Sequence, residues 1–259
     1  MILRYAVLGV IQGITEFLPI SSSGHLVIAG RLLHIESPGV LLEALLHAAT
    51  LVAILITFWS DIRLLFRALT PRGTLEHRKE IGYLIAGSVP IVVIGFLFRN
   101  AMDALFSSLV WVAIGLFASG GLLILSSIAT RRHRNEVRFS DSIWVGLAQA
   151  ASLVPGLSRS GATISVGVLA GLTPRRAARF SFLLAIPALL GATLLNLVEA
   201  LRSDVLMTIN GWNFAVAGLV ALVVGLVAIR ALLALVARGK LWGFGAYCVA
   251  LGIAVLAFA

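Results

Sequence analysis

The sequence predicts an all-α polytopic membrane protein, and three observations support this class. The 259 residues are 60% hydrophobic and only 12% charged, with a mean hydropathy of +1.05, whereas soluble domains carry about 25% charged residues. The apolar residues form long runs, unlike the short alternating segments of a β-barrel. The basic residues lie in the short connections between these runs, where they orient a protein in the bilayer.

The formal net charge of +9 is therefore expected to face anionic lipid headgroups rather than nucleic acid. The first apolar run contains Gln12 and Glu16 and no small-residue cleavage site, so no cleavable signal peptide is expected. Cys248 is the single cysteine, which rules out a disulfide within the chain and a metal site made of several cysteines. The oligomeric state is left open, with a homodimer as one option.

The first half of the chain opens with two short apolar pieces in residues 1–36, separated by a polar cluster. Each piece is shorter than the roughly 20 residues that span a bilayer, so a re-entrant helical hairpin is predicted. Pro19 is expected to end its first helix. Three spans are predicted to follow, with a kink at Pro90 in the second; they cover residues 43–59, 81–98 and 108–129.

The second half repeats this order. Residues 142–172 again hold two short apolar pieces around a polar centre, which predicts a second re-entrant hairpin. Three further spans are predicted at 180–199, 213–235 and 241–258. The predicted architecture is therefore six transmembrane helices plus two re-entrant hairpins.

Loop charges predict the orientation in the cell (inner) membrane. The basic connections are expected in the cytoplasm, at residues 61–80, 131–141, 174–179 and 236–240. The connections at 99–107 and 200–212 are then external. The first hairpin enters from outside, the second from inside, and both termini are external.

The two halves are related by a shift of 137 positions, seen in Gly9 and Gly146 and in Gln12 and Gln149. We therefore predict one membrane domain, residues 1–259, made of repeat one (1–130, with hairpin 1–36) and repeat two (139–259, with hairpin 142–172). Three spans per repeat invert the second repeat. Inverted repeats with broken helices place their site near the midplane, where the broken elements meet.

The first hairpin concentrates reactive side chains. Gln12 and Glu16 are four residues apart and share a helix face, and a serine run, a glycine and an imidazole follow. A charge at mid-bilayer costs roughly 2.5–3.5 kcal/mol, which makes a functional role the default. Glu16 suits a divalent cation or a general base. The remaining members of the cluster are Ser21, Ser22, Ser23, Gly24 and His25.

The second hairpin supplies a cation. The planar guanidinium of Arg159 suits phosphate oxygens, and the helix after each polar centre directs its N-terminal amides toward the site. Three hydroxyls and a glycine that permits close approach of a ligand accompany the arginine: Ser158, Ser160, Thr163 and Gly161. Together they predict a phosphate or diphosphate cradle.

Two motifs carry a family resemblance: QGITEFLPISSSGH at 12–25 and PGLSRSGAT at 155–163. They resemble the signature motifs of the undecaprenyl-diphosphate phosphatase family of the bacitracin-resistance type, and the similarity covers essentially the whole chain. It implies a hydrolase that removes the terminal phosphate of a polyprenyl diphosphate lipid and recycles the carrier for cell-wall synthesis. It also implies dependence on a divalent cation, Mg or Ca. This chain has the Gln form of the first motif, which leaves Glu16 as its one carboxylate.

The resemblance and the residues together suggest roles. Glu16, helped by Gln12, holds the metal or acts as the base. Either Ser22 or His25 is the nucleophile, or His25 transfers protons. Arg159 stabilises charge in the transition state. Substrate contacts are expected from Gln12, Ser21, Ser23, Gly24, Ser158, Ser160, Gly161 and Thr163.

Two other functions compete. Inverted repeats with broken helices are also transporter architecture, so the chain could flip a polyprenyl phosphate. A carrier needs Arg159 but has no use for Glu16, Ser22 and His25 as a reactive set. A non-catalytic binder of anionic lipids would not need a carboxylate within the membrane.

Overall fold

The computed structural model describes residues 2–32, 39–71, 73–98, 105, 108–129, 133–202 and 211–257. Within these ranges the chain is helical, apart from turns and one isolated bridge between Arg134 and Leu172. The helices are α1 (Ile2–Thr15), α2 (Ser22–Leu32), α3 (Gly39–Thr57), α4 (Trp59–Ala68), α5 (Leu75–Leu97), α6 (Leu109–Ile128), α7 (Phe139–Ala151), α8 (Arg159–Leu169), α9 (Pro174–Arg202), α10 (Gly211–Ala237) and α11 (Trp242–Ala257).

Two pairs of short helices stand where the hairpins are predicted: α1 with α2, and α7 with α8. The expectation that Pro19 ends the first helix is wrong, because α1 ends at Thr15 and a turn covers 16–20. Proline disfavours helical geometry at the residue before it as well. The amide of Leu18 still bonds the carbonyl of Ile14 at 3.0 Å, so helical bonding fades through the turn rather than stopping at the proline.

Four helices are long and apolar enough to cross a membrane: α5, α6, α9 and α10. A fifth span results if α3 and α4, which meet at a bend of 76°, are counted as one. The predicted span 241–258 is the 16-residue helix α11, which is shorter than a full span requires. The described residues therefore give four to five candidate spans, and the arrangement of six stays a prediction.

The predicted basic connections are themselves largely helical. The connection 61–80 contains most of α4 and the first turn of α5, and 174–179 belongs to α9. Helix α9 runs for 29 residues because Pro174 suits a first helical position and the Thr173 hydroxyl accepts a hydrogen bond from the amide of Arg176. Much of the external connections 99–107 and 200–212 lies outside the described residues, as do both chain ends.

Close helix packing surrounds the hairpins. A Cβ on Gly9 would lie 2.4 Å from the carbonyl oxygen of Ala217, so α1 lies directly against α10. A Cβ on Gly146 would lie 2.3 Å from the carbonyl oxygen of Gly87, so α7 lies directly against α5. Helices α6 and α11 form a third extensive contact, and α3 and α9 a fourth. The first two contacts fix α1 and α7, the first helix of each hairpin, against long helices of the bundle.

An ion pair closes the base of the second hairpin. Both terminal nitrogens of Arg134 donate to the Asp141 carboxylate at 2.7 Å, and Nη2 also reaches the carbonyl of Ala170. The hydrogen bonds that Arg134 donates to Asp141 raise the pKa of Arg134 above its usual range. The start of α7 is thereby tied to the end of α8, which orients the turn between them.

Candidate active site

The turns of the two hairpins meet in the interior. The hydroxyl of Ser160 donates to the carbonyl of Leu18 at 3.3 Å, and the amide of Gly156 donates to Ser23 Oγ at 3.5 Å. Gly156 has φ = +84°, a conformation that favours glycine. The predicted meeting of the two polar centres is therefore seen in the structure.

A buried ion pair joins the hairpins at this point. Glu16 Oε1 lies 2.6 Å from Arg159 Nη2, and the two side chains are only 6% and 14% exposed. The other carboxylate oxygen, Oε2, accepts hydrogen bonds from Ser22 Oγ at 2.8 Å and from Gln12 Nε2 at 3.2 Å. Four predicted site residues thus share one hydrogen-bond network.

Two polar atoms of this network are left without a partner. Gln12 Oε1 and Arg159 Nη1 are buried and make no hydrogen bond within the described part of the chain. A buried polar atom without a partner costs about 1–3 kcal/mol. One atom is an acceptor and the other a donor, so a cation near Gln12 and an anion near Arg159 would satisfy them.

The two candidate nucleophiles have different surroundings. Ser22 Oγ donates to the Glu16 carboxylate, an acceptor able to take its proton. His25 uses both ring nitrogens: Nδ1 lies 2.7 Å from the Ser21 carbonyl oxygen and Nε2 lies 2.7 Å from the Tyr247 hydroxyl. The His25 and Tyr247 rings also stack at 5.7 Å. Ser22 is therefore better placed for attack.

The hydroxyls of the second hairpin contact protein rather than an open site. Ser158 Oγ accepts from the Gly161 amide at 3.1 Å and caps α8. Thr163 Oγ1 donates to the Arg159 carbonyl at 2.7 Å. Ser158, Ser160 and Thr163 are all buried. In this geometry Ser158 and Thr163 stabilise the first turns of α8, which carries Arg159, and a phosphate contact by the three hydroxyls stays a prediction.

The first turn is shaped by its small residues. Ser21 has φ = +72°, and its Oγ accepts from the Gly24 amide at 3.3 Å. The Gly24 and Gly161 amides, expected to face a ligand, are thus used by the capping serines. A Cβ on Gly161 would lie 3.3 Å from Pro19 Cβ, so this glycine lets the two turns approach each other.

Three residues that the sequence did not single out support the site. The Ser119 hydroxyl accepts from the Ser158 amide at 2.7 Å and donates to the Gly156 carbonyl at 3.3 Å. Ser181 lies within hydrogen-bond distance of Thr163, and Tyr247 holds His25. The two serines are polar residues within apolar runs, which is a usable signal. Tyr247 gives no comparable signal.

The part of the chain that the structure describes holds no metal site made of several carboxylates and imidazoles. Among the described residues no three His, Cys, Asp or Glu side chains come together. The oxygen donors that fit a hard cation are Glu16 and the unpartnered Gln12 Oε1. Mg²⁺ commonly takes one or two carboxylates and completes its shell with waters and substrate phosphates, so this small donor set is compatible with a divalent cation shared with a phosphate ligand.

Helical hairpins that meet inside an apolar bundle, with a buried carboxylate, arginine and serine at the junction, define a helical membrane protein with a polar site in its interior. The family model described as Bacitracin resistance protein BacA matches residues 5–254. The chain belongs to that family.

Curated relatives align over nearly the full length. An undecaprenyl-diphosphatase from Renibacterium salmoninarum is 38% identical over 263 aligned residues, which cover 98% of this chain and 94% of the relative. Undecaprenyl-diphosphatase 3 of Bacillus anthracis is 38% identical, with 99% and 97% covered. An undecaprenyl-diphosphatase from Korarchaeum cryptofilum is 38% identical, and the alignment covers 96% of both chains.

Proposed function

We propose that this chain is an undecaprenyl-diphosphatase, a membrane hydrolase that converts undecaprenyl diphosphate to the monophosphate and inorganic phosphate. The full-length relatives carry the name of this activity, and the family is that of bacitracin resistance. The network that joins Glu16, Ser22 and Arg159 is the observation that carries the proposal. An apolar lipid tail suits a membrane-embedded protein, and a diphosphate suits Arg159.

The geometry supports a route through Ser22. The Ser22 oxygen attacks the terminal phosphorus, the bond to the bridging oxygen breaks, and the lipid monophosphate leaves with that oxygen. The Ser22 proton passes to Glu16, which is 2.8 Å away. Glu16 gives this proton to the bridging oxygen of the leaving monophosphate and is ionised again. Water then attacks the phosphoserine with Glu16 as base, and Glu16 returns the proton to the Ser22 oxygen as phosphate leaves. A phosphohistidine route would first have to free a ring nitrogen of His25.

Arg159 changes partners along this route. A diphosphate competes with Glu16 for the guanidinium, and Nη1 has no hydrogen-bond partner among the described residues. Transfer of Arg159 donors to the phosphate stabilises developing charge and frees Glu16 Oε1. The ion pair is therefore a resting arrangement that substrate opens.

A divalent cation, Mg or Ca, belongs to this proposal. Gln12 Oε1 and Glu16 would hold it, and when bound it supplies neutralisation of the diphosphate charge. Arg159 has the same role toward the phosphates in this proposal with either Mg or Ca.

The proposed membrane arrangement is six transmembrane helices and two re-entrant hairpins in inverted repeats, 1–130 and 139–259. The helix contacts support it: exchange of the halves converts the α1–α10 contact into the α7–α5 contact, while α6–α11 and α3–α9 map onto themselves. We further propose that the basic face is cytoplasmic and that both termini are external. A homodimer stays open.

The transporter alternative gains no support from the comparisons, since the relatives carry a phosphatase name. The residues of the site also favour hydrolysis over transport. A carrier needs an anion-binding Arg159 but no serine hydrogen-bonded to a carboxylate.

The direct test is phosphate release from undecaprenyl diphosphate by purified protein in detergent, with and without a chelator. Wild-type protein is expected to release phosphate only with a divalent cation, and Glu16→Gln is expected to be inactive. Glu136→Gln, which changes an exposed carboxylate, is the matched control and should keep wild-type activity. Absence of release by folded wild-type protein that still binds the substrate would contradict the proposal.

A further inference from the structure

A second polar cavity lies away from the hairpin junction. It has a volume of about 890 Å³ and is bounded by the start of α5, the segment 135–139 and the start of α9. None of the residues placed in the active site lines it. Its basic members come from the connections that the loop-charge rule assigns to the cytoplasm: Lys79, Arg138, Arg175, Arg176 and Arg179.

Most acidic residues of this cavity already interact with an arginine. Glu80 is buried and pairs with Arg176 at 2.8 Å. Glu136 interacts electrostatically with Arg134, and Arg179 pairs with Asp61. Glu76 is thus the remaining carboxylate at the rim.

Three basic side chains at the rim have no such partner. Lys79, Arg138 and Arg175 are exposed, and no ion pair within the described ranges engages them. Deeper in the cavity wall, Arg176 Nη1 and Arg179 Nε are buried donors that lack a hydrogen-bond partner in the described chain. The cavity therefore carries an excess of cationic donors at both depths.

The position of the cavity adds to its positive charge. Helix α9 begins at its edge with Pro174, and a helix N-terminus carries partial positive charge. Basic pockets between membrane helices at the cytoplasmic interface bind phosphate-bearing lipid headgroups. Arginine forks are suited to phosphate oxygens.

We propose that this cavity is a binding site for a phosphate group, separate from the active site. The ligand is the phosphodiester headgroup of an anionic membrane lipid or free inorganic phosphate, which share the chemistry that the cavity recognises. The proposal stands independently of the phosphatase activity, because it uses other residues on another part of the bundle.

The test compares two triple variants of the full-length protein, delipidated in neutral detergent. The cavity variant is Lys79→Gln, Arg138→Gln and Arg175→Gln. The control variant removes three exposed basic side chains that do not line the cavity, with Arg63→Gln, Arg67→Gln and Lys240→Gln. Binding of phosphatidylglycerol in mixed micelles is measured by native mass spectrometry and by thermal shift, with phosphatidylcholine as the neutral lipid. A parallel titration uses inorganic phosphate alone.

The cavity variant is expected to bind phosphatidylglycerol about 100-fold more weakly than wild type, given three basic residues, and the control variant to bind like wild type. If the cavity variant loses only the binding of phosphatidylglycerol, the ligand is a lipid headgroup. If it loses only the binding of inorganic phosphate, the ligand is the free anion. Unchanged binding of both probes in the cavity variant would overturn the proposal, as would an equal loss in the control variant. Arg159→Ala should still bind both probes in the cavity. Loss of the active site can therefore be distinguished from loss of the cavity site.

Discussion

Glu16 and Arg159 lie 143 positions apart in the chain, yet Glu16 Oε1 and Arg159 Nη2 are 2.6 Å apart in the interior. The pair links the turn of the first hairpin to the first residue of α8. Removal of one member of a buried ion pair costs about 3–5 kcal/mol, because the other charge stays buried without compensation. Each change at this pair therefore needs a measurement of folding beside one of turnover.

Arg159→Ala is expected to lower kcat by about 10²–10³-fold, because it removes the cation that meets the phosphate. Arg159→Lys keeps the charge but lacks the planar fork, so we expect an intermediate rate and a smaller loss of stability. Initial rates of phosphate release and thermal unfolding in detergent test both variants. Turnover at the wild-type rate in Arg159→Ala would exclude the assigned role.

Ser22→Ala is expected to lower turnover by about 10³-fold or more, because the nucleophile is lost. Ser23→Ala is the neighbouring control: its hydroxyl makes two long hydrogen bonds, with the Gly156 amide at 3.5 Å and with Ser21 Oγ at 3.3 Å, so we expect less than a tenfold change. Acid quenching of wild-type enzyme with labelled substrate should trap an acid-stable phosphoserine on a peptide that contains Ser22. An acid-labile label on His25 would reassign the nucleophile.

Tyr247→Phe removes the hydroxyl that bonds His25 Nε2. The loss of one hydrogen bond costs about 1 kcal/mol, which corresponds to a Tm lower by roughly 2–4 °C for a chain of this length. Turnover should stay within about tenfold of wild type, because His25 shapes the turn rather than attacking. A kcat loss as large as that of Ser22→Ala would contradict this assignment.

Gly9→Ala tests the approach of α1 to α10. The added Cβ would lie 2.4 Å from the Ala217 carbonyl oxygen, so the helices must separate, and we expect a loss of about 1–3 kcal/mol in unfolding free energy. Gly82→Ala is the matched control, since nothing lies within 4 Å of its Cβ. Alanine favours a helix over glycine by roughly 0.5–1 kcal/mol, so the control should be as stable as wild type or more so. Equal stability of the two variants would contradict the close contact.

Much of the fold was predictable because hydropathy and loop charge are local properties. The runs at 81–98, 108–129, 180–199 and 213–235 predicted the four long apolar helices. The helix ends were less well predicted, as at Pro19, because turn geometry depends on contacts with the other hairpin. The length of α9 was underestimated, since basic residues 174–179 were assigned to a loop although they are compatible with a helix.

The sequence by itself determined that this is a membrane protein of helices and that two polar motifs recur at a spacing of 137, and it predicted Glu16, Arg159 and either Ser22 or His25 as the reactive residues. These features follow from composition and local pattern. Only the tertiary structure decided that Glu16 pairs with Arg159, that Ser22 donates a hydrogen bond to Glu16, and that Tyr247 is hydrogen-bonded to His25. The Glu16–Arg159 and His25–Tyr247 contacts join residues distant in the chain, so they depend on how the helices pack. The Ser22–Glu16 hydrogen bond crosses the turn of the first hairpin, so it depends on the geometry of that turn.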